Sequence, residues 1–190
     1  MSERGQSLLE LTTACAIIGL LAAFSFPSVK AYSVRARLGG ATRVFSGEFR
    51  KAHSMAVRRG VYTAIRFERH DEGADFSVYA DGNRNGVRSV DIEKGTDARI
   101  AGPFPLQGGE HGIRVALLPG LPALPPGKGR LDGDDPIRFG RSDILSFSPL
   151  GTATPGTFYL AGDGIQGAVR VTANARVRLL LWHGGSWQER

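Results

Sequence analysis

Glu10 is the one charged residue in a run from Ser7 to Pro27 that is otherwise uncharged and mostly apolar. As a single helix, this run would be roughly 28–30 Å long, about one bilayer hydrocarbon core. A carboxylate in such surroundings costs on the order of 2.5 kcal/mol or more unless it is paired, which makes Glu10 a candidate functional residue. Gly5 stands five residues before it. The alternative interpretation is a signal anchor that tolerates one acid near its end.

Arginines near the C-terminus form a second candidate site. Only the hairpin register that pairs Val171 with Val177 keeps the apolar residues of both strands on one face. This register places Arg170 directly opposite Arg178, with Arg176 on the same face. Like charges directly opposite are destabilising unless an anion lies between them. The pattern therefore predicts an anion-binding face, and the alternative is screening by nearby Asp or Glu side chains or by water.

Residues 81–86 resemble the first half of a calcium-binding loop. Asp81, Asn83 and Asn85 place oxygens at alternate positions, and a glycine is sixth. The twelfth position is Ile92 instead of a bidentate glutamate, and Arg84 adds positive charge. The sequence favours a tight turn over a metal site.

Residues 162–167 match the glycine spacing of a dinucleotide-binding loop. The motif joins two predicted strands and opens no helix, so a hairpin turn is predicted instead. The four histidines show no metal-ligand spacing with acids or with Cys15, and no nucleophile motif is present. We expect no catalytic residue and no cofactor.

The elements that position these residues begin with an N-terminal helix. After Pro27, apolar residues recur at three- or four-residue spacing, which is typical of an amphipathic helix. These positions are Val34, Leu38, Ala41, Phe45, Phe49, Ala52, Met55 and Ala56. Gly60 is the predicted C-cap, and Pro27 and the Gly39–Gly40 pair are predicted bends.

Beyond Gly60 the hydrophobic period changes from about 3.6 to 2, which predicts short strands separated by Gly and Pro clusters. The predicted strands cover residues 61–68, 75–80, 112–118, 137–139, 144–148, 157–160, 168–173 and 176–182. No further helix is predicted. Residues 118–136 contain five prolines and four glycines, and a long surface loop is predicted there, either functional or loosely ordered.

The composition fits one ordered domain. The chain has 190 residues, is 42% hydrophobic and carries a net charge of +6. Twenty of its 24 basic residues are arginine, whose planar fork suits phosphate and carboxylate. An anionic partner is one explanation, and a genome that encodes arginine in preference to lysine is the other.

The N-terminal residues resemble the prepilin-peptidase site of type IV pilins and pseudopilins. In that family, a short basic leader ends in glycine and the fifth residue of the mature chain is glutamate. The run Arg4-Gly5-Gln6-Ser7-Leu8-Leu9-Glu10 has this arrangement. The resemblance implies cleavage between Gly5 and Gln6, N-methylation of Gln6 and an assembly role for Glu10. Gln6 stands where the family usually has phenylalanine, so methylation is less firmly implied than cleavage.

The C-terminal residues resemble the closing motif of the GspH/FimT family of minor pseudopilins. Residues 167–178 read Gly-Ala-Val-Arg-Val-Thr-Ala-Asn-Ala-Arg-Val-Arg, and the family motif usually ends Gly-Arg-x-Arg. Residues 144–151 and 156–157 are similar to the preceding strands of that family. Ala175 stands where the family prefers glycine, so Asn174 is predicted to take the left-handed conformation. In some members the arginines that match Arg176 and Arg178 are implicated in binding DNA.

The resemblance implies an α+β, type IV pilin-like fold, in which a long N-terminal helix packs on a mostly antiparallel β-sheet domain. The expected organisation is a leader at 1–5, a transmembrane helix at 6–27, an amphipathic helix at 28–60 and a β-rich domain at 61–190. The expected location is the bacterial inner membrane, with a single pass and a periplasmic domain. The basic residues flanking the helix would, by themselves, favour a cytoplasmic domain.

The expected function is that of a minor pseudopilin of a type II secretion system, processed by the prepilin peptidase and assembled at or near the tip of the pseudopilus, and not that of an enzyme. Its expected partners are the prepilin peptidase and other pseudopilins. One alternative is a minor type IV pilin of a DNA-uptake pilus that binds double-stranded DNA through Arg170, Arg176 and Arg178. The other is a membrane-anchored β domain that does not assemble and binds an envelope ligand.

Overall fold

The computed structural model of the chain describes residues 8–70, 73–106, 112–131, 133–183 and 185–189, without the side chains of residues 22–31. The chain divides into two compact units, one ending at Ala36 and the other formed by Arg37–Arg190. Helix α1 covers Leu8–Arg59, and its last residues belong to the second unit.

The second unit is built from antiparallel strands and one short helix. The elements after α1 in the described residues are β1 (Thr63–His70), β2 (Gly73–Ala80), α2 (Ser89–Glu93), β3 (Ala98–Pro105), β4 (Ile113–Arg114), β5 (Ile137–Arg138), β6 (Ile144–Phe147), β7 (Gly156–Gly162), β8 (Ile165–Val171), β9 (Val177–His183) and β10 (Ser186–Glu189). One sheet has the order β3-β2-β1-β6, and the other has the order β10-β9-β8-β7-β4 with β5 paired to β7. Every pairing between the described strands is antiparallel. The predicted α+β class, with an N-terminal helix and antiparallel sheets, is confirmed.

Helix α1 contributes a stripe of side chains to the core of the second unit. Leu38, Phe49, Ala52 and Ala56 are buried, as their spacing predicted. The helix continues through Gly39–Gly40 and ends at the predicted cap, where Gly60 has a φ of 66° and donates its N–H to the Ala56 carbonyl.

Aromatic rings join this stripe to both sheets. The Phe49 ring centroid lies 6.2 Å from that of Phe67 on β1 and 6.3 Å from that of Phe158 on β7. Phe45 likewise lies 6.4 Å from Phe76 on β2 and 4.8 Å from Phe158. The helix therefore closes the space between the two sheets.

The proline-rich segment 118–136 packs on the outer face of the second sheet. Its Leu121, Leu124 and Leu131 contact a small core that also contains Tyr159, Ala168, Leu180 and Trp187. Pro122 pairs with Arg130 across the segment. Apolar burial and hydrogen bonds hold the described residues of this segment on the sheet.

Several element predictions need correction. Strand β4 covers only two of the residues predicted at 112–118, and β3, β10 and the five-residue α2 were not predicted. Strand β3 contains Gly102 and Pro103, whose types argue against a strand, and its pairing with β2 shifts register twice. Helix α2 is too short to show a periodic pattern.

Candidate functional site

The predicted cleavage and methylation site, Gly5 and Gln6, lies outside the described residues, as does part of the predicted transmembrane segment 6–27. Glu10 is described, and it lies exposed in the first turn of α1.

The first turns of α1 expose an unusual amount of apolar surface. Seven large apolar side chains between residues 8 and 21 are 57% to 82% exposed. They are Leu8, Leu9, Leu11, Ile17, Ile18, Leu20 and Leu21. The hydroxyls of Thr12 and Thr13 both donate to the Leu9 carbonyl at 2.9 Å, so each has a partner within the helix. The surface of this segment therefore suits an apolar environment.

Among the helical residues that the structure describes, no segment combines the length and hydropathy of a membrane span.

The arginine hairpin has the register that the sequence predicted. Val171 pairs with Val177, and Arg170 pairs with Arg178. The left-handed residue of the connecting loop is Ala175, with a φ of 55°, so the prediction that Asn174 would take this conformation is wrong. The Ala175 N–H donates to the Thr172 carbonyl and the side chain packs into the core, and these contacts hold the residue there.

Two of the three arginines already have partners. Arg170 Nη1 donates to the Pro125 carbonyl at 2.5 Å, which fastens the proline-rich segment to β8. Arg178 Nε donates to Glu189 Oε1 at 2.9 Å, and its Nη2 donates to Glu189 Oε2. Arg176, between them in sequence, is exposed.

Glu189 is the acidic residue that the sequence analysis missed at this hairpin. The hydrogen bond from Arg178 lowers the pKa of Glu189. Burial partly opposes this change, and the positive charges of Arg178 and Arg176 add smaller lowering effects. Of the two interpretations of the facing arginines, screening by a nearby acid therefore describes Arg178. The anion at this position is the protein's own Glu189 carboxylate.

A second polar group lies beside the proline-rich segment. The Arg138 guanidinium carbon lies 5.6 Å from the centre of the Tyr159 ring. Burial raises the pKa of the Tyr159 hydroxyl, and Arg138 and Arg170 partly oppose that rise. Arg138 Nε also donates to the Asp135 carbonyl at 3.0 Å. These contacts give Arg138 a structural role at the end of the segment.

The turn predicted at residues 81–86 is present, and its carboxylate is used by the backbone. Asp81 is buried and accepts the N–H groups of Asn83, Arg84 and Gly86 at 3.1, 2.7 and 2.7 Å. Asn83 Oδ1 accepts the N–H of Asn85 at 3.2 Å. Within the described residues, no group of three or more His, Cys, Asp or Glu side chains is arranged to hold a metal ion. The oxygens in this segment close a turn.

The glycine-rich run at 162–167 forms the predicted hairpin. Gly162 pairs with Ile165, and the two residues between them, Asp163 and Gly164, have φ values of 36° and 80°. Positive φ at both central positions is typical of a two-residue hairpin turn.

The chain matches no protein-family model, no curated protein and no solved structure.

Proposed function

We propose that the chain is a minor pseudopilin of a type II secretion system, cleaved by the prepilin peptidase and assembled into a filament. One observation carries the proposal: a single helix exposes a run of large apolar side chains at residues 8–21 and buries a different apolar stripe in the β domain. An exposed apolar run of this size needs an apolar environment. Helices of neighbouring subunits supply it in a filament, and lipid supplies it before assembly.

Glu10 has a defined role in this proposal. Its carboxylate pairs with the amine that cleavage frees on Gln6 of this or a neighbouring subunit, at the same depth in the apolar layer. The Coulombic attraction within such a pair is stronger in apolar surroundings than in water, and leaving either charge unpaired there is costly, so the pair fixes the register between helices. The proposed location follows: a single pass through the bacterial inner membrane, with the β domain in the periplasm.

Mass spectrometry of the purified protein and a crosslinking assay test this function. The mature chain is expected to begin at Gln6. Glu10→Gln, which removes the charge at nearly constant volume, is expected to leave cleavage intact and abolish incorporation into filaments. Thr12→Leu is the matched control, because it makes the same helix turn more apolar without touching the carboxylate. A chain that keeps its first five residues, or normal incorporation of the Glu10→Gln protein, would reject the proposal.

A second candidate function is binding of double-stranded DNA by the arginine hairpin, as in a DNA-uptake pilus. The observation that favours it is geometric: Arg178 holds the Glu189 carboxylate through two of its nitrogens, and Arg176, two residues away in sequence, is exposed. In this case Arg176→Gln is expected to weaken binding and lower the salt dependence by about one unit of slope. Arg58→Gln, at the exposed end of α1, is the control. Equal losses in both variants would mean that binding reflects net charge alone.

A further inference from the structure

The Arg178–Glu189 pair has the geometry with which arginine binds a phosphate. Two nitrogens of one guanidinium donate to the two oxygens of one carboxylate. Arginine binds phosphodiester oxygens through the same two-point fork. The carboxylate of Glu189 therefore occupies the place where an external phosphate oxygen pair would bind.

The strand that carries Glu189 is held to the domain independently of that side chain. Strand β10 pairs with β9 over four residues, from Ser186 opposite His183 to Glu189 opposite Leu180. Trp187 Nε1 donates to the Pro122 carbonyl at 3.0 Å. The Trp182 and Trp187 rings meet edge to face at 5.6 Å. The Glu189 side chain can therefore swing away from Arg178 while β10 remains paired.

The ion pair is exposed enough to be exchanged. The side chains of Arg178 and Glu189 are 37% and 40% exposed. Exposed ion pairs contribute little, since water solvates the separated charges well. Displacing the Glu189 carboxylate therefore costs an incoming anion little, so this contact tunes affinity and does not block the site.

We infer that Glu189 is a built-in competitor of the arginine hairpin, whose carboxylate an external DNA phosphate must displace before Arg178 can bind it. This inference rests on the second candidate function. It assigns a state to each arginine: Arg176 meets a phosphate directly, Arg178 does so after exchange, and Arg170 stays with the Pro125 carbonyl.

The test compares Glu189→Gln with Glu68→Gln in the full-length protein, kept in solution by a non-ionic detergent. Glu68 is a close match for Glu189, because it is 42% exposed and pairs with Arg66 at 3.3 Å. Both substitutions raise the net charge by one. Binding of a short mixed-sequence DNA duplex is measured over a range of salt concentrations.

The expected result is that Glu189→Gln binds about two- to fivefold more tightly than wild type. Its salt dependence should be steeper by up to about one unit of slope, because Arg178 holds a phosphate in every complex of the variant but only in the exchanged fraction of wild-type complexes. Glu68→Gln should keep the wild-type slope. The double variant Glu189→Gln, Arg178→Gln should lose the added slope, since the residue that the first substitution released is gone.

Three results would overturn the inference, and they separate it from the function on which it rests. If wild type binds DNA and Glu189→Gln binds identically, DNA binding stands and the competition is refuted. If Glu189→Gln and Glu68→Gln increase the DNA affinity equally, the affinity depends on net charge alone and the competition is refuted. If neither wild type nor Glu189→Gln binds DNA, both the DNA function and the competition are refuted, while the filament proposal is unaffected.

Discussion

Replacing Gln166 with leucine should strongly destabilise the β domain. Gln166 is fully buried on β8. Its Nε2 donates to the Ala116 and Leu160 carbonyls at 3.0 and 2.8 Å, and its Oε1 accepts the Leu118 N–H at 2.7 Å. One side chain thus fastens the backbone after β4 to the second sheet.

The magnitude follows from the groups that leucine would leave unpaired. A buried N–H or C=O that loses its partner costs about 1–3 kcal/mol. The Leu118 N–H and the Ala116 C=O are the main losses, and both residues are half-buried, so the lower part of that range applies. We expect Gln166→Leu to lower the free energy of unfolding by about 2–4 kcal/mol, which corresponds to a fall in melting temperature of about 5–15 °C for a domain of this size.

Denaturant unfolding followed by tryptophan fluorescence measures the change, and hydrogen exchange locates it. The Leu118 amide should exchange much faster in the variant than in wild type. Gln188→Leu is the matched control, because Gln188 is an exposed glutamine on β10 and its replacement should stay within about 0.5 kcal/mol of wild type. If the two variants have equal stability, the role assigned to the Gln166 amide is wrong.

Two further predictions concern residues with positive φ. Asp143 has a φ of 52°, and burial together with the charge of Asp135 raises its pKa despite the ion pair with Arg69. Because the pKa of Asp143 is higher in the folded protein than in the unfolded chain, its contribution to the free energy of unfolding is greatest below the unfolded pKa of 3.8. This contribution is lost as the pH rises through the folded pKa. Asp143→Asn should therefore be at least as stable as wild type at pH 7. Denaturant titrations at pH 4 and pH 7 should show the decline in wild type and not in the variant. A variant that is less stable than wild type at pH 7 would show that the ion pair with Arg69 dominates. The free energy of unfolding of Ala175→Gly, measured by calorimetry, should stay within about 1 kcal/mol of that of wild type, because relief of the left-handed strain offsets the lost buried methyl group. Ala175→Val should lower the free energy of unfolding by at least about 2 kcal/mol. Equal stability of the valine variant would contradict the strained conformation.

The position of a residue in the fold could be predicted where the apolar residues around it repeat at the regular spacing of a helix or a strand. The stripe from Leu38 to Ala56 was predicted because a helix repeats its core-facing side every three or four residues, and burial of that side dominates the packing energy. The Val171–Val177 register was predicted because a one-residue slip would turn every apolar side chain outward. Both rules are local, and the structure confirms both results.

Contacts between distant segments could not be predicted in this way. Glu189 was missed because β10 has one apolar residue, Trp187, and shows no alternation long enough to predict a strand. The partner of Arg170 is the backbone carbonyl of Pro125, 45 residues away in sequence. The type of a residue does not predict such a contact, because every residue has a backbone carbonyl. The stabilising role of Gln166 depends on hydrogen bonds to two backbone carbonyls and one backbone N–H. These groups come together only when the chain folds.

The close packing of α1 against the two sheets has a mechanical consequence. An added Cβ on Gly167 would lie 3.0 Å from a Thr42 methyl and 3.2 Å from Leu38, so the helix sits about as close to β8 as a glycine allows. Phe45 and Phe49 meanwhile interlock with both sheets. A pull along the helix axis would load all these contacts in shear at the same moment, instead of unzipping one strand after another. Tension applied through the helix would thus be shared between the two sheets.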